Sequence, residues 1–167
     1  MSTTPDTTEP STLKVARKFL LVVDSSAELR AAVRFACRRA VHTGGSIVLF
    51  YNVPKRDSHF FATIGELMER EARSEAEEVL KAVAGDVYRQ TGSYPQVFLR
   101  EGDTMEQLLS VIQDDASISV LVLGAGTGPE GPGALVAALS GKLAGKIRIP
   151  VTIVPGHLAD QLVDNMT

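Results

Sequence analysis

Ile118-Ser119-Val120-Leu121-Val122-Leu123 runs straight into Gly124-Ala125-Gly126-Thr127-Gly128-Pro129-Glu130-Gly131-Pro132-Gly133, and a Leu/Val/Ala pattern begins at Ala134. An apolar, β-branched run breaks into a segment that is half glycine, and helical spacing follows. That order reads as buried strand, flexible loop, helix. Glycine permits positive φ and close approach of the backbone to a ligand. A loop that ends at a helix N-terminus offers unpaired N–H groups and a dipole that favours anions. The stretch is therefore where a phosphate would sit, and Gly124, Gly126, Thr127, Gly128, Gly131 and Gly133 are its candidate contacts.

The same strand-to-helix alternation extends along the chain in both directions. Phe19-Leu20-Leu21-Val22-Val23 is apolar at every position, as in a strand covered on both faces. After Asp24, Ser25 and Glu28 have the spacing of a capping box. Leu29, Ala32, Val33, Ala36, Ala40 and Val41 fall on one helical stripe and Arg30, Arg34 and Arg38 on another, up to Thr43-Gly44-Gly45. Ser46–Val53 reads as the second strand, ended by Pro54. A long helix follows, with Leu67, Met68, Ala72, Ala76, Val79, Leu80, Val83 and Val87 as its apolar stripe. Its glutamates point elsewhere.

Pro95–Arg100 is a more polar strand, expected at a sheet edge. Asp103 and Glu106 repeat the capping-box spacing before Met105, Leu108, Leu109 and Ile112. A fourth helix is expected over about 134–146, and Pro150–Val154 closes as a fifth strand. Short strands alternating with helices mean a parallel α/β sheet with helices on both faces. Residues 1–14, rich in Thr, Ser and Pro, are expected to be a disordered tail; 15–156 form one domain; 157–167 form a loose tail.

Composition excludes several classes. The 167 residues carry a formal net charge of -3, which exerts no pull toward nucleic acid or anionic membrane. No apolar run approaches the roughly 20 residues that span a bilayer. The start of the chain has no apolar signal-peptide core, and the single cysteine, Cys37, has no partner for a disulfide or zinc pattern, so a cytoplasmic location is expected. His42, His59 and His157 are too scattered for a metal site. Gly126-x-Gly128-x-x-Gly131 has the letter pattern of a dinucleotide fingerprint but follows the wrong strand and contains Pro129. Gly141-Lys142 lacks P-loop spacing. No Ser/His/Asp arrangement is evident, so no catalytic residue is assigned. His59-Phe60-Phe61 reads as a lid, a partner contact or local packing.

The ordered set of Leu20–Ser26, Leu49–Val53, Glu101-Gly102-Asp103, Val120–Gly124 and Ile149–Val154 resembles the universal stress protein family. The resemblance implies a five-stranded parallel open sheet of order 3-2-1-4-5, Rossmann-like, with a ligand at the reversal between the first and fourth strands. That order puts the first two helices on one face, so the glutamates of the second are expected to answer the arginines of the first. It implies that Asp24 lies beside a nucleoside and that Asn52 and Val53 line the base, with ATP or AMP as the cofactor class. Family members that bind ATP carry G-x2-G-x9-G-[ST] after strand four. Gly124 matches the first position; a gap-free count puts the second on Thr127 and the Gly-Ser pair on Ala137 and Ala138. The chain thus resembles the branch whose adenine nucleotide site is degenerate. The implied role is a stress-response regulator that acts as a homodimer through Val151–Val154, by binding an unidentified protein partner rather than by catalysis. The alternative is an ATP-binding member with slow hydrolysis.

Overall fold

The structure, a computed structural model, describes residues 16–55 and 62–167. His59-Phe60-Phe61 and the N-terminal segment expected to be disordered lie outside the described residues. The order of elements is β1 (Lys18–Val22), α1 (Leu29–Thr43), β2 (Ser46–Val53), α2 (Ala62–Thr91), β3 (Gln96–Glu101), α3 (Thr104–Asp114), β4 (Ile118–Ala125), α4 (Ala134–Ser140), a 3-10 turn (Ala144–Lys146), β5 (Val151–Pro155) and α5 (Asp160–Met166). Every strand pair is parallel, and the sheet order is β3-β2-β1-β4-β5.

Strand alternation divides the core into two layers. Phe19, Leu21, Ile47 and Leu49 face α1 and α2, together with Ala36, Leu80, Val83 and Val87. Leu20, Val48, Phe50, Leu121 and Leu123 face α3 and α4, together with Leu108, Ile112, Val136 and Leu139. β1 and β4 slip register between Lys18 and Phe19, pairing Lys18 with Ile118 but Phe19 with Val120. One extra residue reverses the facing of what precedes it. Ile118 therefore joins the same layer as Leu121 instead of the layer of Val120.

Several local expectations hold. Gly44 takes the left-handed conformation, φ 66°, that terminates α1, and the Asp103 carboxylate accepts from the Glu106 N–H at 2.9 Å at the start of α3. Cys37 is fully buried, and burial pushes its thiol up to about 12, which makes it a packing residue.

Others are corrected. The first capping box does not form: the residue before α1 is Glu28 itself, without a side-chain cap, and Asp24 instead accepts the Ser26 N–H at 2.9 Å. Leu67 and Met68 are 55% and 43% exposed, because a 30-residue helix extends about 45 Å, roughly twice the reach of the strands it covers. The fourth helix stops at Ser140 and gives way to turns. The expected loose tail is α5, whose Val163 is fully buried against the α1 side of the domain.

The arginines of α1 are answered by α5, not by α2. Arg34 makes a two-pronged bond to Asp164 at 2.7 and 2.6 Å, Arg38 adds bonds at 3.0 and 3.1 Å, and Arg30 reaches Asp160 at 2.5 Å. His42 Nδ1 lies 2.8 Å from the Thr167 carbonyl oxygen. Hydrogen bonds from Arg34 and then Arg38 hold the Asp164 carboxyl well below the usual carboxylate range.

Candidate functional site

α1 carries the chain away from β1 toward β2 and β3, and α3 brings it back to β4 on the other side of β1. Loops leaving β1 and β4 therefore diverge, and a crevice opens beyond their carboxyl ends. It measures about 290 Å³ and is bounded by Val22, Asp24, Ser26 and Glu28 on the β1 side and by Leu123, Gly124 and Gly126 on the β4 side. Glu130 to Val136 close it from above.

The structure brings five of the nine candidate residues to this cleft: Asp24, Gly124, Gly126, Gly131 and Gly133. Thr127 and Gly128 belong to the same loop but do not line the cleft. Asn52 and Val53 stand apart from it. Asn52 Nδ2 donates to the Gly102 carbonyl and to Thr104 Oγ1, both at 2.9 Å, which ties the end of β2 to the start of α3. Val53 lines a separate cleft of about 200 Å³ with Pro54, Lys55, Met68, Ala72 and Glu101. Neither Asn52 nor Val53 lines the cavity that holds Asp24. β2 runs three residues past the last pairing with β1, and Tyr51, Asn52 and Val53 pair with β3 there.

The glycine loop is folded on itself. The Gly126 N–H donates to the Pro132 carbonyl at 3.4 Å, and the Gly131 N–H to the Gly128 carbonyl at 3.1 Å. Gly131 and Gly133 have φ of 86° and 97°, conformations that L side chains rarely adopt. Two N–H groups of the loop are therefore spent within it. The helix that follows has seven residues, and Gly133 provides no side-chain cap. Ala137 and Ala138, reached by gap-free counting, lie inside α4 and do not line the cleft. Gly133 and Ala134 stand at its edge instead, so the loop is shorter than the count assumed. A methyl group at Ala134 donates no hydrogen bond.

Sequence reasoning missed three residues. Glu28 had been read only as a cap partner, Glu130 as part of a loop, and Gly156 only as the last residue of the domain. A Cβ on Gly156 would lie 2.4 Å from Glu28 Cγ and 2.8 Å from its Cα and Cβ; one on Gly124 would lie 3.0 Å from the Glu28 carbonyl oxygen. These glycines let the chain after β1 settle onto the ends of β4 and β5. The Gly126-rich spacing hinted at close approach; nothing local hinted that Glu28 was the neighbour. Burial first, and then the Glu75 and Asp24 carboxylates, push the Tyr51 hydroxyl above its ordinary value. Among the described residues no group of His, Cys, Asp and Glu is arranged to hold a metal ion.

The sequence pattern of the universal stress protein family matches residues 16–155, which takes in every strand and the whole crevice. The chain belongs to the universal stress protein family. Solved members share the fold at low identity. The universal stress protein UspA from Lactobacillus plantarum superimposes with a TM-score of 0.69 at 16% identity, covering 83% of this chain and 97% of that one. The universal stress protein from Archaeoglobus fulgidus in complex with dAMP gives 0.58 at 16% identity, with coverages of 84% and 98%. A universal stress protein family protein from Arabidopsis thaliana with AMP bound gives 0.61 at 15% identity, with coverages of 87% and 94%. No curated protein matches the chain. The parallel α/β universal stress fold is therefore present, and among the described residues no helix is long and apolar enough to cross a membrane.

Proposed function

We propose that this universal stress protein is a regulatory domain that works by binding, not turnover, and that its crevice takes an adenine nucleotide of low phosphate number. The observation that carries the reading is the crevice between β1 and β4, where Asp24 and four loop glycines converge at the reversal of the sheet. Relatives of the same fold are described with AMP and with dAMP bound. The loop lacks a hydroxyl at its helix end and spends two N–H groups internally, which argues against a firm grip on a triphosphate.

We further propose that the protein acts as a homodimer paired through β5 and presents this assembly to a protein partner. β5 is a sheet edge without a charged residue between Val151 and Pro155, and Ile153 is 40% exposed. Such an edge favours strand pairing.

Thermal shift with AMP, cyclic AMP, ADP and ATP tests the ligand. A nucleotide at 100 times its Kd adds about 2.7 kcal/mol, or roughly 5–11 °C for a domain of this size. AMP is expected to raise Tm by several degrees and ATP by less. No shift with any of the four refutes the nucleotide reading.

A further inference from the structure

Asp24, Glu28 and Glu130 line the crevice, and no lysine or arginine among the described residues lines it. Glu28 is held closely. Its stem runs against the bare backbones of Gly124 and Gly156, and a Cβ on Gly126 would lie 3.5 Å from its Oε1. The carboxylate thus lies beside Gly126, at the first turn of the glycine loop. Glu130 belongs to that same loop.

We propose that Glu28 is the specificity-determining residue of the crevice, setting the ligand's charge: a nucleoside with no phosphate or one is admitted, and a polyphosphate tail is repelled. This rests on the nucleotide reading above. Like charges a few ångströms apart in a half-enclosed site repel more strongly than in water. Each added phosphate brings another negative charge toward the Glu28 carboxylate. A nucleoside avoids this, because it is uncharged and its ribose hydroxyls and exocyclic amino group can donate to a carboxylate.

Isothermal titration of the full chain with adenosine, AMP, ADP and ATP, in EDTA to remove magnesium, tests the proposal on the wild type, Glu28→Gln and Glu28→Ala. Circular dichroism confirms that each variant is folded, and two variants guard against one failing to fold. In the wild type, affinity is expected to fall from AMP to ADP to ATP. Glu28→Gln is expected to tighten ATP about tenfold relative to adenosine. Raising the salt should narrow the wild-type gap between AMP and ATP, since screening acts on the repulsion. Wild-type ATP binding as tight as AMP, or an unchanged gap between ATP and adenosine in both variants, overturns the role of Glu28 and leaves nucleotide binding intact. No binding of any of the four ligands by any folded form overturns the nucleotide reading, and the proposal with it.

Discussion

Replacing Gly156 with alanine gives the sharpest test of the packing that shapes the crevice. The new Cβ would sit 2.4 Å from Glu28 Cγ and 2.8 Å from both its Cα and Cβ. All three contacts are far inside ordinary van der Waals separation. The Cγ can rotate away, but the Cα and Cβ move only with the backbone that leads into α1. Overpacking of this kind typically destabilises by about 1–3 kcal/mol. For a chain of this length that corresponds to a fall in Tm of roughly 2–12 °C. Gly128 is the internal control: a Cβ there meets nothing within 4 Å, and its φ is not positive. Alanine at such a site leaves stability unchanged or raises it by about 0.4–1 kcal/mol, by restricting the unfolded chain. Urea unfolding followed by circular dichroism separates the two, given a common m-value. Adding Glu28→Gly to Gly156→Ala removes the Cβ and Cγ clashes and should restore part of the loss, a coupling that distant sites do not show. A Gly156→Ala protein as stable as the wild type, or a Gly128→Ala protein equally weakened, would refute the account of Glu28 seated on glycine backbones.

Two more predictions concern part-buried ion pairs and the β5 edge. Asp115 is drawn down to about 2, first by its hydrogen bond from Lys18 at 2.6 Å and then by Ser117; Asp164 is drawn lower still by Arg34 and Arg38. A carboxyl whose folded value is depressed binds fewer protons in the native state. Its stabilisation is therefore complete above the ordinary value near 4 and is lost as pH falls toward 2. Tm measured from pH 5 to pH 2 should fall, and Asp115→Asn and Asp164→Asn should each flatten that fall; an equally steep fall in both variants would contradict the assignment. Ile153→Lys places a charge on the β5 edge and should turn a dimer into a monomer by light scattering at micromolar concentration, while a wild-type mass of one chain would remove the basis for β5 pairing.

Much of the fold was legible because its signals are local. Phe19–Val23 and Val120–Leu123 lack polar interruption and read as doubly covered strands, and the Asp103/Glu106 spacing announced α3 correctly. The same local reading misassigned Ser25 and Glu28, which share that spacing. A cap forms only if its residues are free to turn back on the helix, and Glu28 is instead drawn onto Gly124 and Gly156. It also gave α2 a continuous apolar stripe, although only its second half has a sheet to lie on. Asn52 and Val53 were assigned from resemblance alone; β2 runs past the end of β1, and Val53 lines a cleft beside that of Asp24.

Unaided, the chain of residues determined a parallel α/β sheet, its order by resemblance, and a glycine-rich loop beyond β4 facing Asp24. Those follow from periodicity, turn chemistry and the handedness of crossovers, which act over a few residues or one connection. Only the tertiary structure decided which charges meet. Arg34 and Arg38 clasp Asp164 of α5, and Glu28 comes to rest among glycines from the far end of the chain. Such pairs are set by the way the two layers pack on the sheet, and no spacing between neighbours in sequence encodes that distance.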